Sequence, residues 1–143
     1  MIMDELRLAE LKLRVEADDP AALFEYSNII AETDPTGAEK FLLLSAQLGH
    51  PPALERAGDL HMASGNTAEA ERCYRTCAKA GMLDCAVKLL AIKLKEPAEE
   101  TAAVRELEEL AVSGVTSAAL ALADYYSDNG NRKQAAYWRS TAK

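Results

Sequence analysis

Small and apolar residues in this chain fall three and four positions apart. Ala38, Phe41, Leu42 and Ser45 form one such set, Ala70, Cys73, Tyr74 and Cys77 a second, and Ala135, Trp138 and Ala142 a third. Each set shares one face of a helix, where small residues let two helices approach closely and a ring fills the space between pairs. The pattern predicts leading helices over 20–32, 51–63, 83–95 and 116–128. Trailing helices are predicted over 35–48, 67–80, 97–113 and 131–142.

The pattern also has a long period. Gly49, Gly81 and Gly114 recur at intervals of 32 and 33 residues, each followed four positions later by Ala53, Cys85 or Ala118. Ala38, Ala70, Ala103 and Ala135 keep the same beat. A period in this range is the signature of stacked supersecondary units. The glycines sit where a helix needs a left-handed residue at its end. Asp34-Pro35 places a cap before proline at the first helical position, and Asn66–Glu69 and Asn131–Gln134 read as capping boxes. Glu96-Pro97 marks the corresponding turn in the third unit, whose trailing helix carries a one-residue insertion. Leu6, Ala9 and Leu13, with Ala17 in place of the glycine, match a lone trailing helix. Residues 1–17 are therefore expected to form an N-terminal capping helix over the first hairpin's open face, with four repeats in a single domain over 18–143.

These residues resemble the Sel-one-like repeat, a close relative of the tetratricopeptide repeat. Ala53-x-x-x-Ala57-Gly58-x-x-His61 followed by Glu69-Ala70-x-x-Cys73-Tyr74-x-x-Cys77-Ala78-x-x-Gly81 carries the likeness. Ala118-x-x-x-Leu122-Ala123-x-x-Tyr126 with Gln134-Ala135-x-x-Trp138-x-x-x-Ala142 is similar, and the first unit is aligned on Ala21, Tyr26, Ala38 and Gly49. The third unit departs, with Lys93 and Glu106 where aromatic residues are usual. The resemblance implies an all-α fold, an α-α superhelix or right-handed solenoid of about four hairpins, and a role as adaptor or scaffold. Many such proteins are bacterial.

Carrying over the family's groove positions gives four rows on a concave face: Leu23, Ser27 and Ile30; Glu55, Asp59 and Met62; Val87, Ala91 and Leu94; Leu120, Asp124 and Ser127. Apolar anchors mixed with carboxylates, and Lys95 as the nearby cation, suit a basic, amphipathic protein or peptide better than an acidic one. Asp59 and Asp124 are the strongest candidates for an acidic groove, because buried unpaired carboxylates are costly.

Charge narrows the partners further. The formal net charge is −7, with three basic and eight acidic residues between 1 and 32. An acidic chain repels phosphate backbones, which argues against nucleic acid. No apolar run is long enough for a bilayer, and residues 1–5 lack the basic and apolar regions of a secretory leader, so a cytoplasmic protein is expected. Three cysteines cannot form a closed disulfide set, which fits a reducing compartment.

Chemistry has few footholds. Cys73, Cys77, Cys85 and His61 could be imagined around zinc, but the cysteines occupy slots for small buried residues and His61 an aromatic slot, so neither metal nor cofactor is expected. A nucleophilic cysteine would need His50 or His61 as its base. The glycines are isolated helix stops and form no phosphate-binding loop. The expected function is a non-catalytic protein-protein interaction module. The alternative is a dedicated inhibitor, immunity protein or secretion chaperone that binds one basic protein stoichiometrically, and steep salt dependence of the association rate would favour it.

Overall fold

Apolar spacing of three and four produces helix after helix in the computed structural model, which describes residues 2–143. Residue 1, the first position of the expected cap 1–17, lies outside the described residues. Among the described residues nine helices follow one another: α1 (Ile2–Glu16), α2 (Pro20–Ile30), α3 (Pro35–Gln47), α4 (Pro51–Ala63), α5 (Thr67–Lys79), α6 (Leu83–Lys93), α7 (Glu100–Val112), α8 (Thr116–Asp128) and α9 (Arg132–Thr141). No strand occurs among the described residues. The expected all-α fold of paired helices is therefore present. No described helix is long and apolar enough to cross a membrane.

The chain divides into two compact units, one running through Ala80 and the other spanning Gly81–Lys143. In the first, α1 packs on α2, α2 on α3, α3 on α4 and α4 on α5. The leading helices α2 and α4 are also joined, because Arg56 donates to Asn28 and lies 5.1 Å from the centre of the Phe24 ring. Ser45 ties α3 to the start of α2 by donating its hydroxyl to the Pro20 carbonyl at 2.6 Å. In the second unit α6, α7, α8 and α9 pack in succession, and α6 also lies beside α8. Its core gathers Val87, Leu90, Leu94, Ala103, Leu107 and Leu122, closed by Trp138.

The capping signals act as the sequence suggests. Asp34, Asn66 and Asn131 accept hydrogen bonds from the backbone N–H groups of Gly37, Glu69 and Gln134. The carboxylate of Glu69, however, turns to Arg72 at 2.6 Å. Gly49, Gly81 and Gly114 have φ of 89°, 100° and 104°, the left-handed region that a Cβ disfavours.

Three expectations need correction. The residue that ends α1 in the left-handed region is Asp18, at φ 58°, not Ala17. The buried alanine four positions on is Ala22, with Ala21 exposed. The first interval is thus 31 residues, and alignment on Ala21 puts the first unit one residue out of step.

The second correction concerns the cap. Leu11 is buried, and Leu8 and Val15 are half-buried, on the side of α1 opposite Leu6, Ala9 and Leu13. The expected contact face points to solvent, with Leu6 56% and Leu13 66% exposed.

Third, the trailing helix of the third hairpin starts at Glu100 rather than Pro97. Residues 94–99 form consecutive turns instead, with Glu96 N donating to Lys93 O and Glu99 N to Glu96 O. Glu99 occupies the cap position with αR backbone and makes no side-chain capping bond.

Candidate functional site

A leading helix that ends early, a turn-rich connection and a late trailing helix leave space beside the start of α7. In the second unit this space is a cleft of about 380 Å³. Its apolar floor is Ala91 and Leu94 from the end of α6 and Ala121 from α8. Lys95, Glu100, Asp124 and Asp128 stand around it, giving three carboxylates against one ammonium. Asp124 and Asp128 are four apart on α8 and share one of its faces.

Tyr125 fixes the geometry of the acidic wall. Its hydroxyl donates to Glu100 Oε1 at 2.5 Å and so links α8 to the first residue of α7. That bond, with a smaller contribution from burial, pushes the Tyr125 phenol up to about 12. The Tyr125 ring also meets Tyr126 edge to face at 5.2 Å. Tyr126 reaches Glu108 at 3.4 Å, and burial is the main cause of its raised pKa. The two tyrosines thus orient carboxylates instead of offering a flat stacking platform.

Of the four expected rows, the cleft brings together Ala91, Leu94 and Asp124. Leu120 and Ser127 are exposed on the same helix, and Leu120 lines a separate surface groove beside Leu83, Met82 and Val115. Val87 belongs to the core of this unit, as does Leu94, whose edge forms the cleft floor.

The first unit treats its rows differently. Leu23 and Ser27 are buried, so neither presents a side chain to a partner, and Ile30 is half-buried. The one-residue slip explains this: with Ala22 aligned on Ala53, Ser27 falls opposite Gly58 and occupies the close-contact position. Its hydroxyl turns inward to the Phe24 carbonyl at 2.6 Å. Glu55 is half-buried, and Asp59 and Met62 are exposed. Asp59 has a structural task as well, because the buried Tyr74 donates its hydroxyl to Asp59 Oδ1 at 2.6 Å. Burial first, and this bond second, raise the Tyr74 pKa.

His61 and Cys73 line a cleft of about 440 Å³ in the first unit, with the Glu69–Arg72 pair at its edge. Cys73 is buried and its thiol free, and burial pushes its pKa up, away from the thiolate that nucleophilic chemistry requires. His50 packs against the Phe24 ring at 5.3 Å. Cys77 and Cys85 are fully buried. No three His, Cys, Asp or Glu side chains among the described residues converge as ligands for a metal ion.

Sequence reasoning named Asp124 and Lys95 but missed Glu100, Ala121, Tyr125 and Asp128 as cleft residues. The spacing of Asp124 and Asp128 was a readable signal. The position of Glu100 was not, because it depends on turns that replace the expected first helical turn of α7. Compared with protein-family models and with curated protein sequences, the chain matches none.

Proposed function

We propose that this chain is a non-catalytic, cytoplasmic protein-interaction module of the Sel-one-like or tetratricopeptide type, and that the cleft of the second unit holds a basic, amphipathic segment of a protein partner. The observation that carries this reading is the pairing of an apolar floor, Ala91, Leu94 and Ala121, with a rim of Glu100, Asp124 and Asp128. An amphipathic segment places its apolar side on such a floor and its lysines or arginines against the carboxylates. Opposite charges at the rim add association rate and orientation, while the apolar contact adds residence.

The test uses a basic amphipathic peptide titrated into isotope-labelled protein and followed by NMR. Amide shifts are expected to concentrate at residues 91–95, 100 and 121–128. Asp124→Lys with Asp128→Lys should weaken binding at least tenfold and leave the melting temperature near the parent's, since both residues are exposed. Full-strength binding by the double variant, or shifts confined to the first unit, rejects the acidic cleft. Asp59→Lys is a poor test, because it also removes the acceptor for the buried Tyr74 hydroxyl.

A further inference from the structure

Helix α1 is apolar on two opposite sides, and only one of them is covered. Leu8, Leu11 and Val15 lie on the covered side of α1, the helix that packs on α2. Leu6, Ala9 and Leu13 recur at a coiled-coil spacing on the outer side, all of them exposed. An outward stripe of this kind on a helix that already has a buried face calls for a partner.

The charges that flank the stripe identify the partner. At 3.6 residues per turn, Glu5 and Lys12 border it on one side and Glu10 on the other. All three are exposed. When two copies of α1 lie antiparallel, like borders face each other. One axial register then sets Glu5 against Lys12 of the second copy, a pair repeated by the twofold axis. The same register seats Leu6 between Ala9 and Leu13 of the second copy. In a parallel pair, by contrast, Glu5 would face Glu10 on both sides, like against like. The geometry points to an antiparallel α1–α1 contact between two copies of this chain, formed by Leu6, Ala9 and Leu13 and given its direction by Glu5–Lys12 pairs.

Two leucines and an alanine per copy make a small contact, so association is expected to be weak and dependent on concentration and salt. Sedimentation equilibrium of the full chain at low ionic strength, from about 10 µM to about 1 mM, measures it directly. The weight-average mass should climb above the 15.5 kDa of one chain across that range. Leu13→Glu, and separately Leu6→Glu, should hold it at the monomer value with an unchanged circular dichroism spectrum. Lys12→Glu alone should weaken association roughly tenfold, since it turns two attractive pairs repulsive. Glu5→Lys combined with Lys12→Glu should restore it to within about threefold. A monomer at every concentration overturns the inference. So does association that survives Leu13→Glu and Leu6→Glu, or a double charge exchange that restores nothing.

Discussion

Hairpins α4/α5 and α6/α7 fill the same role in their respective units with opposite strategies. In α4/α5, Gly58 leaves a notch and the Tyr74 ring occupies it; a Cβ on Gly58 would come within 2.5 Å of Tyr74 Cε1. The ring's hydroxyl ends on Asp59, and Asn66 caps the trailing helix. In α6/α7 the corresponding residues are Leu90 and Leu107, both buried in one apolar cluster, with neither glycine nor ring at these positions. The trailing helix starts late, without a side-chain cap, and a cleft opens beside its first turn. The cleft beside α4/α5 is edged by His61, Cys73 and the Glu69–Arg72 pair, whereas the cleft beside α6/α7 sets three carboxylates over an apolar floor. The difference shows how the start of one trailing helix sets the charge of the cleft beside it.

The strongest way to break the comparison is to exchange the strategies. Gly58→Leu alone should cost about 3 kcal/mol in urea denaturation, because the new side chain and the Tyr74 ring claim the same volume. Gly58→Leu with Tyr74→Leu, which copies the third hairpin, should recover to within about 1 kcal/mol of the parent. Failure of the second change to rescue the first would mean that the notch and the ring are not coupled.

Next in size are the left-handed positions. Gly81→Val should cost about 1–2 kcal/mol, since φ of 100° strains a β-branched residue although nothing lies within 4 Å of the added Cβ. Asp18→Gly should be neutral or stabilising by about 0.5 kcal/mol, because aspartate already tolerates φ of 58°. A large loss on Asp18→Gly would show that the carboxylate, rather than the backbone angle, ends α1.

The capping contrast is smaller. Asn66→Ala should cost about 1 kcal/mol, and Glu99→Ala less than about 0.5 kcal/mol, because only Asn66 accepts a backbone N–H. Equal losses in thermal melts would erase the distinction between the two starts.

The last prediction is spectroscopic. The Tyr125 phenol ionises near about 12 in the folded chain, against 10.0 for a free tyrosine. Its folded pKa is raised, so the contribution to stability is complete below pH 10 and fades as pH climbs toward 12. Ultraviolet titration of the phenolates should show a late component, shared with Tyr74 and Tyr126, that shrinks by one tyrosine in Tyr125→Phe. An unchanged curve would argue against the Glu100 bond.

Much of this was legible from residue spacing. The hairpin pairing, the glycine stops and the three Asx caps at Asp34, Asn66 and Asn131 are local, and local signals survive into the folded chain. The first unit's register was harder to read because Asp18 does glycine's work without being glycine. That single substitution shifted Leu23 and Ser27 from expected groove to observed core. The faces of α1 were ambiguous for a related reason. Leu6, Ala9 and Leu13 and Leu8, Leu11 and Val15 both follow helical spacing, and only packing decides which set is covered. The cleft was half visible: Ala91, Leu94 and Asp124 came from the repeat, but Glu100 and Tyr125 meet only because α7 begins three residues late.

The intervals between the left-handed residues that close α1, α3, α5 and α7 lengthen along the chain, from 31 at Asp18–Gly49 to 32 at Gly49–Gly81 and 33 at Gly81–Gly114. The extra length of the third lies in the turns between α6 and α7, outside any regular element. Insertions or deletions in that connection should therefore be absorbed with little damage. One residue added inside α5 would instead rotate every later side chain of that helix by about 100°, carrying Cys77 out of the core. Length can vary at the joints of this molecule, and almost nowhere else.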